Sequence, residues 1–150
     1  MNQTSLRVVR EEVILVDTSN YSANYSGEIE EIEQGISEGR WIEKLISRPV
    51  IKSLNTMHYA TLVKGRSATA GDRIAFPVSG DDEAAKKVVM NLINDIGFDA
   101  VDAGNLDGAW RHQLGTPAFC TNLTASEMQE ALFSASKERL CFRAAYCRSN

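Results

Sequence analysis

The fold is decided by two segments of the same design, Val13-Ile14-Leu15-Val16-Asp17-Thr18-Ser19-Asn20-Tyr21 and Pro49-Val50-Ile51-Lys52-Ser53-Leu54-Asn55-Thr56. Each contains an apolar run that is followed by polar residues. A continuous apolar run is typical of a strand that helices cover on both faces of a parallel sheet. In such sheets ligands bind beyond the carboxyl ends of the strands, where Thr, Ser and Asn suit the ribose and amide groups of a dinucleotide. The two segments therefore predict neighbouring strands with a ligand-binding edge.

The sequence contains no Gly-x-Gly-x-x-Gly motif. In dinucleotide-binding folds those glycines let the backbone approach the pyrophosphate closely. The chain is therefore expected to correspond to the second half of a nucleotide-binding fold, without the glycine-rich first half.

Further along the chain, the pattern predicts two more strands and three helices. The strand candidates are residues 73–80 and 98–104, and Pro77 indicates an edge position or a bulge because proline cannot donate to a ladder. Ser37 is the predicted N-cap of a short helix that stops before Pro49. Thr124 and Glu127 form a capping box that starts a C-terminal helix.

The clearest helix follows the third strand, with Asp81 or Asp82 as its N-cap and Gly97 after its end. Its predicted apolar stripe consists of Ala85, Val88, Val89, Leu92, Ile93 and Ile96. Alternating strands and helices of this kind predict an α/β fold with a mostly parallel sheet of about four strands, crossover helices and a C-terminal helix.

Composition limits the class of protein. The 150 residues carry a formal net charge of -4, with 43% hydrophobic and 24% charged residues, which is ordinary for a globular domain. An acidic chain argues against nucleic-acid binding, and the cluster Arg139, Arg143 and Arg148 is interpreted as a solvated tail. No apolar run is long enough for a membrane span, so we expect a cytoplasmic protein with no membrane partner. The three cysteines, Cys120, Cys141 and Cys147, are expected to be reduced thiols.

Titratable side chains offer little chemistry in the sequence. His58 follows the second polar loop but is more often a structural residue in such a place, and His112 has less in its favour. Asp81 and Asp82 are interpreted as helix-capping residues rather than as cation ligands. Asp99 and Asp102 fall on opposite faces of a strand. We therefore predict no catalytic acid, base or nucleophile and no metal site.

Four ordered segments resemble the NADP oxidoreductases of the family that depends on the deazaflavin coenzyme F-420. The segments are residues 17–21, 48–56, 77–82 and 97–104, and the likeness extends over about residues 13 to 122, through Gly115-Thr116-Pro117-Ala118-Phe119. The resemblance implies a partial Rossmann-like fold in which residues 1–122 are the C-terminal half of an NADP-binding domain. Residues 123–150 are then a helical extension of the same domain.

The resemblance also implies where a cofactor would bind. Thr18 and Asn20 follow the first strand of this chain, and Asn55 and Thr56 follow the second, where the family's proteins face the nicotinamide or its ribose. These four residues are the predicted NADP contacts. NADP binding is expected to be weak or absent without the glycine-rich half, and the deazaflavin is the second cofactor that the family implies.

The sequence leaves three functions open. The first is an NADP-dependent oxidoreductase that passes hydride between nicotinamide and a second, small-molecule redox partner and needs a partner or an N-terminal half to complete its phosphate site. The second is a non-catalytic interaction module that forms a homodimer, or binds a complementing polypeptide, through the exposed edge of the first strand. The third is a shortened gene product with no function of its own.

Overall fold

The computed structural model describes residues 9–64 and 73–137. Within those ranges the elements are β1 (Val16–Asp17), α1 (Ala23–Ser26), α2 (Glu30–Glu33), α3 (Glu38–Ile46), β2 (Ile51–Lys52), α4 (Tyr59–Lys64), β3 (Ala75–Val78), α5 (Glu83–Asp95), β4 (Asp99–Asp102), a 3₁₀ helix (Leu106–His112) and α6 (Ala125–Ser134).

The strands form two parallel pairs. β1 pairs with β2, with Val16 opposite Ile51, and β3 pairs with β4. One antiparallel bridge joins the pairs, in which Lys52 and Ser79 exchange backbone hydrogen bonds of 2.8 and 3.0 Å. The predicted α/β class is confirmed, and the short parallel strands with their helices are consistent with a partial Rossmann-like fold.

Pro77 explains why β2 and β3 share a bridge rather than a ladder. On the side of β3 that faces away from β4, Ala75 donates its N–H to Leu123 and Ser79 donates to Lys52. Pro77 lies between them and has no N–H to donate. Its carbonyl accepts instead from the hydroxyl of Ser53 at 2.8 Å. A side chain thus replaces a ladder contact at this position.

The three predicted helices are confirmed, each with its expected cap. The Ser37 hydroxyl accepts from the Arg40 N–H at the start of α3. The Asp82 carboxylate accepts from two N–H groups at the start of α5, and Thr124 and Glu127 form the capping box of α6. Side-chain acceptors at these positions satisfy N–H groups that have no partner within the helix.

The predicted stripe of α5 is buried only in part. Val89 and Ile93 pack with Ile51, Phe76 and Phe98 in the central core. Val88, Leu92 and Ile96 remain 55%, 52% and 39% exposed. The six residues of the predicted apolar stripe are therefore not all buried, because Val88 lies about 100° around the helix from Val89 and the sheet covers a narrower face.

The expectation that helices cover both faces of the first strand is also wrong. Only Val16 and Asp17 form β1, and Val13, Ile14 and Val16 are between 36% and 40% exposed. The physical reason is position, because β1 pairs only with β2 in the described part of the chain and so forms an edge. Among the described residues, Val16–Asp17 has no second strand partner, as the predicted edge implies, whereas the N–H and the carbonyl of Val13 bond to the Arg10 carbonyl and the Arg48 guanidinium.

Cys120 corrects another expectation, since it is disulfide-bonded rather than a reduced thiol. Disulfide formation depends on the spatial approach of two Cβ atoms, which spacing along the chain does not reveal. Cys141 and Cys147 lie outside the described residues, as do Arg139, Arg143 and Arg148.

None of the helices in residues 9–64 and 73–137 is both long enough and apolar enough to cross a bilayer.

Candidate functional site

The loops that follow β1 and β2 lie side by side at the carboxyl edge of the first strand pair. The parallel register places Asp17 opposite Lys52, so the chain leaves both strands at the same level. The Asn20 amide donates to the Asn55 carbonyl at 3.0 Å, and the Asn55 amide donates to the Asn20 side-chain oxygen at 3.2 Å. Two of the four predicted cofactor contacts are thus joined directly.

The other two predicted contacts flank this pair. Thr18 is exposed in the first loop. Thr56 is 1% exposed in the second loop, and its hydroxyl oxygen has no hydrogen-bond partner among the described residues. Leu54 begins the second loop at a φ of 57°, in the left-handed region that non-glycine residues rarely adopt. Such strained backbone and unpaired buried polar atoms cluster at binding sites.

Two hydrogen bonds join the Asn55 side chain to the buried His112. Its amide donates to the His112 carbonyl at 2.9 Å, and its side-chain oxygen lies 3.1 Å from His112 Nδ1. His112 Nε2 lies 3.0 Å from the Ser79 hydroxyl. Because Asn55 presents its oxygen to the ring, Nδ1 is assigned as the N–H donor and Nε2 as the acceptor from Ser79. Burial, together with the nearby positive charge of Lys52, lowers the pKa of His112 to about 3.

The series Ser79, His112, Asn55 has the order of a nucleophile, a base and an orienting residue. Ser79 and His112 are nevertheless completely buried, at 0% exposure each. A base with a pKa near 3 is also a poor acceptor for a serine proton at neutral pH. The network therefore acts in positioning: it fixes the second loop against the 3₁₀ helix and the end of β3.

A buried ion cluster lies under the first loop. Lys52 is 0% exposed, and its Nζ lies 3.0 Å from Asp17 Oδ2 and 3.5 Å from Glu38 Oε2. The ammonium also donates to the Ser19 carbonyl, and the other Asp17 oxygen accepts from the Ser19 N–H and hydroxyl. Lys52 and Asp17 together hold the turn that carries Thr18 and Asn20.

Glu38, the first residue of α3, is the least satisfied member of this cluster. Its Oε2 contacts Lys52 as an ion pair but has no hydrogen-bond partner among the described residues. Burial raises the pKa of this carboxyl above its usual value, although Lys52, Gln113 and the Tyr21 backbone N–H oppose the shift. Glu38 is thus a buried carboxyl that holds a proton more tightly in the folded chain than in the unfolded chain.

Glu38→Gln should change how the stability of the protein depends on pH. The raised pKa of Glu38 makes the native state bind more protons than the unfolded state above about pH 4.5, so this group lowers stability as pH rises through that window. Glutamine removes that loss. We expect the free energy of unfolding to rise more steeply with pH above 4.5 in the variant, measured by urea unfolding from pH 4 to pH 8. An unchanged slope would contradict the assignment.

The sequence did not single out the residues that organise this site: Glu38, Lys52, Ser79 and His112. Lys52 interrupts an otherwise apolar strand, and this position could have indicated a buried ion pair. A lysine that is buried in a strand must be paired with an anionic group. His112 gave no signal, since it lies 57 residues from Asn55. The other histidine, His58, is exposed beside Tyr59, with ring centres 4.6 Å apart.

No family model matches the chain. The protein YjhV of Escherichia coli (strain K12) is 43% identical over 65 residues, which are 43% of this chain and 47% of that protein. The crystal structure of protein SMa0349 from Sinorhizobium meliloti has a TM-score of 0.63 and 28% identity, over 74% of this chain and 54% of that one. The chain therefore spans about half the length of these two relatives.

A third likeness is to the crystal structure of a proposed F420-dependent NADP reductase from Arthrobacter sp. FB24. Its TM-score is 0.49 at 32% identity, over 64% of this chain and 45% of that one.

Proposed function

We propose that this chain is the nicotinamide-facing part of an NADP-dependent oxidoreductase, in which hydride passes between the nicotinamide and a second redox partner. The four ordered segments that resemble the deazaflavin-dependent NADP oxidoreductases support this proposal. The position of Thr18, Asn20, Asn55 and Thr56 at the carboxyl edge of parallel strands supports it independently, since ligands of open α/β sheets bind there.

The observation that carries the proposal is the Thr56 hydroxyl. It is buried and has no partner among the described residues, which costs free energy unless a ligand supplies the missing hydrogen bond. Asn20 lies on the exposed side of the same edge, and its contacts with Asn55 leave one N–H and one lone pair of its amide for other use. A hydroxyl and an amide of this kind fit a ribose and a carboxamide.

The proposed role of the protein in the reaction is orientation. Bound nicotinamide supplies the hydride chemistry. Asn55, fixed by His112, holds the second loop, and the Lys52–Asp17 pair holds the first loop. These contacts give the ring and its ribose one position relative to the second redox substrate.

A phosphate-binding part is proposed to come from elsewhere, either from a complementing polypeptide or from a further segment. The sequence itself has no glycine-rich phosphate motif. The edge of β1 offers a place for such a part, because Val13, Ile14 and Val16 expose apolar surface and β1 has no strand partner other than β2 in the described part of the chain. An added strand there would extend the sheet.

Calorimetric titration of the folded chain with NADPH, reduced nicotinamide mononucleotide and ADP-ribose tests this proposal. We expect the mononucleotide to bind about as tightly as NADPH, because the proposed contacts are to the nicotinamide and its ribose. ADP-ribose, which keeps a ribose but lacks the carboxamide, should bind more weakly. Thr56→Val should weaken both nicotinamide ligands by about fivefold to tenfold, since a hydrogen bond contributes roughly 1 kcal/mol. Thr56→Ser, which keeps the hydroxyl, is the matched control.

The result that would overturn the proposal is a well-folded chain that binds no nicotinamide ligand at millimolar concentration. If Thr56→Val and Thr56→Ser bound the nicotinamide ligands equally tightly, the Thr56 hydroxyl would not be a ligand contact. In the first case the exposed edge of β1 favours the second candidate, a non-catalytic interaction module.

A further inference from the structure

A groove of about 450 Å³ lies where the end of β4, the 3₁₀ helix and α6 meet. Asp102 and Trp110 line it from β4 and the 3₁₀ helix, and Leu132 and Phe133 line it from α6. Its volume falls in the range of small-molecule sites, which is about 300–1,000 Å³. The groove is separate from the proposed cofactor contacts, because no residue of the loops after β1 and β2 lines it.

The Arg111 guanidinium lines the groove without an anionic partner. Its Cζ lies 5.3 Å from the centre of the Trp110 ring, within the range of a cation–π contact. A β-carbon on Gly108 would lie only 2.8 Å from Arg111 Nη1, so the guanidinium fills space that the glycine leaves open. Within residues 9–64 and 73–137, Arg111 forms no ion pair and donates no hydrogen bond. A half-buried guanidinium of this kind suits an anionic ligand.

A second cation lies beside the same ring. Lys137 Nζ is 5.5 Å from the centre of Trp110, and Lys137 forms no ion pair with another described residue. The carboxylate that lines the groove, Asp102, already contacts Lys86 at 3.0 Å and accepts the Gly104 N–H. The groove is therefore positively charged, although the chain as a whole has a formal net charge of -4.

The α6 side of the groove is apolar. Phe133 is 92% exposed, so its ring is almost uncovered in the described part of the chain. Leu132 and Ala135 line the groove next to it. Aromatic rings bind other aromatic rings in stacked or edge-to-face arrangements, which add to the gain from burying apolar area. A flat apolar group in this groove would cover Phe133 and contact Trp110.

We propose that the groove binds a small aromatic carboxylate, with the carboxylate against Arg111 and the ring against Trp110 and Phe133. A guanidinium pairs with a carboxylate through two parallel hydrogen bonds, and the Lys137 ammonium adds a second positive charge. A neutral aromatic molecule would leave both cations without a partner. A small inorganic anion would leave Phe133 uncovered. A ligand with both parts matches the charge and the apolar surface of the groove.

Titration of the ¹⁵N-labelled 150-residue chain with 2-naphthoate tests the proposal through the indole N–H signals of its two tryptophans. Trp41 is the internal reference, because its Nε1 donates to Glu31 and it does not line the groove. The variant Trp110→Phe assigns the two signals. We expect the Trp110 signal to shift with a dissociation constant of about 0.1–3 mM, as for a ligand of this size, and the Trp41 signal to stay in place. The neutral 2-naphthamide and inorganic phosphate should each bind at least about tenfold more weakly.

Two variants separate the charge from the apolar surface. Arg111→Gln should weaken 2-naphthoate binding about tenfold, since hydrogen bonds between charged groups are the stronger ones, and should leave 2-naphthamide binding unchanged. Phe133→Ser should weaken both ligands by about threefold to tenfold. Lys87→Gln is the matched control, because it removes one positive charge from an exposed residue of α5 that does not line the groove. It should bind 2-naphthoate as the wild type does.

A Trp110 signal that does not respond to about 20 mM 2-naphthoate overturns the proposal, since that concentration is several times the expected dissociation constant. Equal affinity for the acid and the amide also overturns it, as does an Arg111→Gln variant that binds the acid as tightly as Lys87→Gln. A Trp110 signal that shifts with protein concentration alone would assign the groove to a second copy of the chain instead. None of these outcomes depends on nicotinamide binding.

Discussion

Lys52→Met should lower the free energy of unfolding by about 3–5 kcal/mol at pH 7, the usual cost of removing one member of a buried ion pair. Methionine fills much of the space of the lysine side chain, so packing is largely kept. What is lost is the only cation that the described structure places against the buried carboxylates of Asp17 and Glu38. Urea unfolding followed by circular dichroism gives the measurement.

The stability lost in Lys52→Met should depend on pH and on the carboxylate of Asp17. Burial raises the pKa of Glu38, so this carboxyl takes up a proton more readily at pH 4, and the destabilisation by Lys52→Met should be smaller there than at pH 7. Adding Asp17→Asn to Lys52→Met should recover part of the stability, because it removes one unpaired buried charge.

Lys44→Met is the matched control for the lysine variant, since Lys44 is exposed near the end of α3. It should change stability by less than about 0.5 kcal/mol. A Lys52→Met protein within about 1 kcal/mol of the wild type would show that the ion cluster does not hold the first loop.

Local chemistry accounts for the part of the fold that the sequence predicted well. Caps at Ser37, Asp82 and Thr124 satisfy N–H groups within a few residues of themselves, so their signal lies in the local sequence. The polar ends of β1 and β2 were predictable because the carboxyl edges of neighbouring parallel strands coincide. The four predicted cofactor contacts remain a prediction, and the structure adds that the Asn20 amide donates to the Asn55 carbonyl.

Long-range contacts account for the part that was not predicted. The 3₁₀ helix Leu106–His112 lies in a stretch without apolar periodicity, and its start is held by the Asp81 carboxylate, which accepts from the Leu106 N–H 25 residues away. Asp81 is itself paired with Arg40 on α3. The local signature of this helix is limited to its N-cap, where the Asn105 side chain accepts from the Gly108 N–H, and the long-range partners of its start leave no signal in the neighbouring sequence.

The exposure of β1 and of one side of α5 has a similar origin. An apolar run shows that a segment can be buried. Which residues cover it depends on the tertiary structure and not on the run itself. Val16 and Leu92 are as apolar as Val89 and Ile93. In the described structure Val89 and Ile93 are buried, whereas Val16 and Leu92 are exposed.

His112→Leu should cost about 2–4 kcal/mol in the free energy of unfolding at pH 7. Leucine has a similar volume but offers no polar atom to the Ser79 hydroxyl or to the Asn55 side-chain oxygen, and an unpaired buried polar group costs roughly 1–3 kcal/mol. Some of that cost is offset by the burial of an apolar side chain in place of the imidazole.

The pH dependence of this variant separates the polar network from simple packing. In the unfolded chain His112 takes up a proton near pH 6.5, whereas burial keeps its folded pKa near 3. The unfolded state therefore binds more protons between these values, and the wild-type protein becomes more stable as pH rises from about 3 to 6.5. Leucine removes this contribution, so the difference between variant and wild type should shrink as the pH falls towards 4.

His58→Leu provides the control, because His58 is exposed and, among residues 9–64 and 73–137, its ring accepts one hydrogen bond, from the Ala60 N–H at 3.3 Å. It should leave both the stability at pH 7 and the rise between pH 3 and 6.5 close to those of the wild type. If His112→Leu kept the same rise, His112 would have to take up its proton over the same pH range in the folded and the unfolded protein. Below that range the Asn55 loop would then be held by a charged imidazole, and the hydrogen bond from Ser79 would have to reverse.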